Sequence, residues 1–158
     1  VDGENQRQVA VVLGSRPDNP DAAFLGIGAQ SRIEDAPGMP FSVHFDTGAV
    51  GGNSAGLSLT LSVLDLVTPG ELTGGLRVAT TGTISPNGDV GPIGGIVQKT
   101  ITARRSGVDL FLVPTNEYEE AAKHAKNMKV VAVANLEEAL AALTEAGGNG
   151  SNLSLPNT

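Results

Sequence analysis

From Leu76 to Ala146 the chain alternates short apolar runs with helix-like segments, and nearly every segment carries its own start or stop signal. That alternation restricts the possible folds more than any single residue does. Leu76-Arg77-Val78-Ala79-Thr80-Thr81 reads as a strand, and Asn87-Gly88 within Ile84–Val90 marks a tight hairpin turn. Gly94 to Ser106 reads as a helix, with Arg104 and Arg105 in its last turn and Gly107 as its stop. Val108 to Val113 is a short buried strand closed by Pro114. Asn116 with Glu119 predicts a capping box for a helix running to about Asn127. Lys129 to Ala134 reads as a strand, and Asn135 with Glu138 caps a last helix running to about Ala146. Strand–helix–strand–helix order implies parallel pairing through right-handed crossovers, with helices covering the sheet.

The first half is richer in strand. Val9–Leu13 reads as a strand ended by Gly14 and a loop holding Pro17 and Pro20. Phe24–Ala29 is a second, glycine-weakened strand, and Asp35 to Pro40 is a loop. Phe41-Ser42-Val43-His44-Phe45 alternates cleanly and reads as a strand with one polar face. Leu57 to Leu64 is ambiguous: Leu-Ser-Leu-Thr-Leu-Ser-Val alternates like a strand, but its continuation to Pro69-Gly70 has the length of a helix. The sum is a mixed α/β (α+β) domain. Its expected organisation is N-terminal strands and a loop over 1–40, a core over 41–146, and a flexible tail rich in Gly, Asn and Ser over 147–158.

Composition narrows the chemistry. At 158 residues the chain is long enough for one well-buried core, and with 3% aromatic residues that core has to be aliphatic. A net charge of −7 with no run of lysine or arginine argues against nucleic acid and anionic membrane surfaces as partners. The absence of cysteine excludes disulfides, thiolate metal sites and a cysteine nucleophile. Two isolated histidines give no paired metal-ligand spacing. No cofactor is expected. The uncharged stretch Thr47 to Leu64 is too rich in Gly, Ser, Thr and Asn for a membrane span. The chain starts at Val1 and shows no signal peptide, so a cut or processed product is expected.

Two stretches carry chemistry. In Gly51-Gly52-Asn53-Ser54-Ala55-Gly56 one hydroxyl sits among residues of minimal bulk, just before the long apolar run. If a helix starts there, its unpaired N–H groups surround the serine and can hold a developing oxyanion. Ser54 alone reads more readily as a helix N-cap. Further on, Gly91-Pro92-Ile93-Gly94-Gly95-Ile96-Val97-Gln98-Lys99 opens a helix on which Ile96, Lys99 and Ala103 share a face. A lysine on an apolar stripe is partly desolvated, which favours the neutral amine that a general base requires. Gly52-Asn53-Ser54-Ala55-Gly56 also satisfies the Gly-x-Ser-x-Gly nucleophile elbow, whose acid and histidine would here be Asp109 and His124. A phosphate-binding loop is excluded, since Gly48 to Ser54 contains no lysine.

Gly52-Asn53-Ser54-Ala55-Gly56, Ala79-Thr80-Thr81-Gly82, Gly88-Asp89-Val90-Gly91-Pro92-Ile93-Gly94-Gly95, Lys99 and Ala103-Arg104-Arg105-Ser106-Gly107 together resemble the proteolytic domain of the Lon serine proteases. The resemblance runs from about Phe41 to Leu143. It implies the Lon proteolytic fold, related to the ribosomal protein S5 domain 2-like fold, and it decides for a helix after Ser54. It implies a serine endopeptidase with Ser54 as nucleophile and Lys99 as base. The backbone N–H groups of Ser54 and Ala55 would form the oxyanion hole, with Thr81 and His44 in support and Asp46 as a further candidate. It departs from the family at Asn53, where proline is usual, and at Thr83, where an acidic residue is usual. The absence of a nucleotide-binding motif implies turnover without ATP. The partners implied are protein or peptide substrates and copies of the same chain, in rings that are often hexameric. Phe24-Leu25-Gly26-Ile27-Gly28 leading into Pro40-Phe41-Ser42-Val43 looks most like PDZ-linked, membrane-anchored bacterial Lon-like proteases. That likeness implies a PDZ domain, an anchor and an extracytoplasmic location, with the cytoplasm as the alternative.

Overall fold

The computed structural model describes residues 10, 12, 14–15, 23–24 and 52–150. The chain divides into two units, Val1–Ser42 and Val43–Thr158. In the first unit, β1 (Gly14–Ser15) pairs antiparallel with β2 (Ala23–Phe24), Gly14 opposite Phe24. Ala10 and Val12 lie outside any strand, and Val12 is fully exposed. The strand expected over Val9–Leu13 does not include Ala10 or Val12; Val9, Val11 and Leu13 lie outside the described residues. Among the described residues, Ala23–Phe24 sits opposite Gly14–Ser15, where the expectation placed the strand's end. The Asp35–Pro40 loop, the Phe41–Phe45 strand, His44, Asp46 and residues 151–158 lie outside the described residues.

The second unit is a parallel sheet covered by helices on both faces. Its strands are β3 (Val78–Thr80), β6 (Leu110–Pro114) and β7 (Lys129–Val133), in the order β3-β6-β7 and all parallel. Between β3 and β6 come a hairpin, β4 (Thr83–Ile84) with β5 (Val90–Gly91), and the helix α2 (Ile96–Arg105). A 3₁₀ turn over Thr115–Glu117 and α3 (Tyr118–Ala125) join β6 to β7, and α4 (Leu136–Glu145) follows. Ahead of them all, a 3₁₀ turn over Asn53–Ala55 runs into α1 (Gly56–Val67). The mixed α/β fold is as the sequence implies.

Alternation along β6 separates the core into two clusters. Leu110 and Leu112 pack with Leu57 and Leu61 of α1 and with Ala139, Leu140 and Leu143 of α4. Phe111 and Val113 pack on the other face with Ala103 of α2 and Ala121 and Ala125 of α3. Every residue of β6 is buried, as a central parallel strand requires. The Leu57–Leu64 ambiguity resolves as helix, with Leu57 and Leu61 one turn apart on the buried side. Ser62 Oγ bonds back to Ser58 O at 2.9 Å, so the small polar residues fit a helix turn rather than a pleat. Gly56 opens α1 because nothing larger fits: a Cβ there would sit 2.9 Å from the Ile84 backbone nitrogen.

Local signals fared unevenly. The Asn135–Glu138 cap forms, with Glu138 N donating to Asn135 Oδ1 at 2.8 Å. The capping box expected from Asn116 and Glu119 does not form. The chain winds into the 3₁₀ turn after Pro114, and Glu117 takes the N-cap position of α3 without a side-chain cap bond. Gly147 was expected to start a tail, yet Gly148 N donates to Leu143 O at 2.9 Å and Asn149 N to Glu71 O at 3.2 Å. Among the described residues no helix is long and apolar enough to cross a membrane.

Candidate active site

Ser54 sits in the middle of the 3₁₀ turn that leads into α1. Three hydrogen bonds involving Thr81 and Gly82, the two residues after β3, fix this turn. Gly82 N donates to Ser54 O at 3.0 Å, the Thr81 hydroxyl donates to the same carbonyl at 3.3 Å, and Leu57 N donates to Gly82 O at 3.1 Å. Thr81 is itself buried and donates its N–H to Leu112 O at 3.1 Å, which ties the serine turn to the central strand. The small residues of the stretch allow this close approach of two backbones.

Lys99 comes from the opposite side. It lies in the first turn of α2, its N–H donating to Gly95 O at 3.1 Å. Gly95 adopts a left-handed φ of 73° at the N-cap, a conformation that glycine takes without strain. Ile96 and Ala103 both pack into the cluster on that side of the sheet. Lys99, half-buried between them, extends past the cluster to place Nζ 3.4 Å from Ser54 Oγ. Two residues 45 apart in sequence are thus brought within hydrogen-bond reach.

The pair opens onto a cleft of about 540 Å³. Ser58, Thr80 and Thr102 give it hydroxyls, and Ala103, Val108 and Phe111 give it an apolar surface. Lys99 is the one charged residue among the described residues that line it. The Ser58 hydroxyl is engaged in the cleft wall, donating to Thr80 O at 2.9 Å and lying 2.6 Å from Thr80 Oγ1.

The other sequence candidates fall elsewhere. Thr81 borders the cleft, but its hydroxyl bonds the carbonyl of Ser54 rather than the lysine it was expected to orient. His124 projects from α3 and meets Glu120 Oε1 at 3.2 Å, beside the Lys123–Glu120 ion pair. The hydrogen bond from Lys123, and then that from His124, holds the Glu120 carboxyl below its ordinary range. Asp109 accepts from Arg77 N at 3.0 Å. Neither Asp109 nor His124 approaches Ser54 as a nucleophile elbow would require, and the partner at bonding distance is Lys99. Asn53 starts the serine turn and is exposed, and Thr83 pairs in the hairpin opposite Gly91. Among the described residues no group of His, Cys, Asp and Glu is placed to hold a metal ion. A contact near the site that sequence reasoning missed is that of Glu117, whose Oε1 accepts the Ile93 N–H at 3.1 Å in the loop in front of α2.

Residues 33–145 match the family of the Lon protease (S16) C-terminal proteolytic domain. The chain is 36% identical over 104 residues to the Lon protease of Treponema pallidum, covering 62% of this chain and 12% of that protein. It is 32% identical over 152 residues to Lon protease 2 of Herpetosiphon aurantiacus, covering 89% of this chain and 18% of that protein. It is 33% identical over 127 residues to the peroxisomal Lon protease homolog 2 of Caenorhabditis elegans, covering 77% and 15%. The chain therefore spans less than a fifth of the length of these relatives. On the match over 33–145, and with a fold that agrees with it, the chain belongs to the Lon protease family as a C-terminal proteolytic domain.

Proposed function

We propose that the chain is a serine endopeptidase that cleaves peptide bonds in protein substrates through a Ser54–Lys99 dyad. The observation that carries this reading is the 3.4 Å approach of Lys99 Nζ to Ser54 Oγ at the edge of a cleft in which Lys99 is the one charged residue among the described lining residues. In the acylation step Lys99, as the neutral amine, accepts the Ser54 hydroxyl proton while Oγ bonds to the peptide carbonyl carbon. The carbonyl oxygen becomes an oxyanion, held by the backbone N–H groups of Ser54 and Ala55 in the first turn of helical backbone. The C–N bond then breaks, and the lysine passes its proton to the departing amine. Water attacks the acyl-serine ester with Lys99 again as base, releasing the acid and restoring the hydroxyl.

In this reading the proteolytic domain itself carries out the cleavage chemistry without nucleotide, since neither step above consumes one. The family resemblance supports assembly into rings of identical chains. The Phe24–Gly28 and Pro40–Val43 segments support a PDZ-linked, membrane-anchored setting. Cleavage of casein without nucleotide tests the reading. The wild-type chain degrades casein and Ser54→Ala does not, whereas equal degradation by both would overturn the dyad.

Thr81 holds the serine rather than the lysine in this account. Thr81→Val removes the 3.3 Å bond to Ser54 O and keeps the volume. We expect kcat to fall about tenfold, as for loss of one preorganising hydrogen bond, with KM little changed. Thr81→Ser retains the hydroxyl and most of the rate. Peptide hydrolysis at saturating substrate separates the two variants.

A further inference from the structure

We infer that Glu117 is a positioning residue for Lys99, acting through the loop that starts α2. This rests on the dyad reading and concerns a residue outside the motifs that suggested it. Glu117 follows β6 in the 3₁₀ turn, and its Oε1 accepts the Ile93 N–H at 3.1 Å across 24 residues of chain. Among the described residues this is the one side-chain hydrogen bond to the Pro92–Gly95 segment. The segment needs a tie. Gly94 and Gly95 are exposed, and a Cβ at Gly94 would meet nothing within 4 Å. Two unpacked glycines leave the backbone wide conformational freedom. The helix they introduce has no side-chain cap and no acidic residue in its first turn. Glu117 therefore supplies the side-chain acceptor that this helix start lacks in its own sequence.

Lys99 lies in that same first turn. A shift in where α2 begins moves Nζ relative to Ser54 Oγ, and 3.4 Å is already at the long end of hydrogen-bond reach. Misplacement of a catalytic group by about 1 Å can cost on the order of 100-fold in rate. The second carboxylate oxygen, Oε2, is buried without a hydrogen-bond partner among the described residues. One acceptor oxygen thus does the positioning, and the negative charge is dispensable. That separates Glu117→Gln, which keeps an acceptor for Ile93, from Glu117→Ala, which removes it, and from Glu117→Asp, which is too short to reach.

The test uses the complete chain in two measurements. In peptide hydrolysis, Glu117→Ala and Glu117→Asp should lower kcat about tenfold with KM changed less than about twofold, while Glu117→Gln stays within about twofold of wild type. In amide hydrogen exchange, the peptide covering residues 93–98 should exchange about tenfold faster in the Ala and Asp variants and at the wild-type rate in the Gln variant. β6 and α4 should keep their protection in all three. Wild-type exchange of residues 93–98 in Glu117→Ala or Glu117→Asp would overturn the proposal. So would a Gln variant as impaired as Ala in kcat. If Glu117→Ala does not fold, the Asp and Gln pair decides alone. A wild-type chain without Ser54-dependent hydrolysis would overturn the dyad reading, and the positioning role with it. The exchange data would then still show whether Glu117 orders the α2 start.

Discussion

Replacing Lys99 with methionine should lower kcat/KM for peptide hydrolysis by roughly three orders of magnitude or more, with the fold unchanged. Methionine preserves the apolar stem that runs between Ile96 and Ala103 and removes only the amine. Without a base, Ser54 attacks as a neutral hydroxyl, and residual rate comes from the oxyanion donors and substrate binding alone. Ser54→Ala should fall at least as far. The double variant should be no slower than the slower single one, because the two groups act as a unit and their effects are not additive. Kinetics with one fluorogenic peptide across the four proteins provides the check. A double variant slower by the product of the two single effects would show that Ser54 and Lys99 act independently.

The second large effect is on stability. Leu112 lies at the centre of β6 and is completely inaccessible to solvent, packed among leucines of α1 and α4. Leu112→Ala should cost about 3–4 kcal/mol, from lost transfer energy and the cavity left behind. For a domain of this size that lowers Tm by roughly 10 °C. The serine turn should loosen at the same time, since Leu112 O accepts the Thr81 N–H and Thr81 in turn bonds Ser54 O. Leu66→Ala serves as the control: Leu66 is 84% exposed, and its loss should change stability by less than about 0.5 kcal/mol. Thermal melts of the two variants under one buffer separate the outcomes. Equal melting temperatures would mean that β6 is not the centre of the core.

Much of this domain is written in local signals. Asn135 and Glu138 meet as their spacing implies, Asn87-Gly88 turns the β4–β5 hairpin, and Gly107 follows the end of α2. Each of these depends on residues a few positions apart, which sequence exposes directly. Asn116 and Glu119 show the limit. The same pattern fails there because Pro114 leads into a 3₁₀ turn and Glu117 finds a partner at Ile93, far away in sequence. Such a bond leaves no periodic or spacing signal. Ala10 and Val12 stay outside the strand expected around them for a related reason, since the pairing among the described residues is between Gly14–Ser15 and Ala23–Phe24. At the site, the apolar stripe of Ile96, Lys99 and Ala103 showed that the lysine rises from the core. The meeting of Nζ with Ser54 Oγ depends on how α1 and α2 pack around β3 and β6, and only the fold shows it. Thr81 lines the same cleft as the pair, and which backbone atom its hydroxyl bonds is a matter of a few ångströms that sequence does not resolve.

The most direct test of the dyad is the site of labelling by a fluorophosphonate, read by peptide mass spectrometry on the complete chain. The account predicts one phosphonylated residue, Ser54, with labelling slowed at least 100-fold in Lys99→Met and absent in Ser54→Ala. Labelling at another serine, or equal rates in wild type and Lys99→Met, would contradict it.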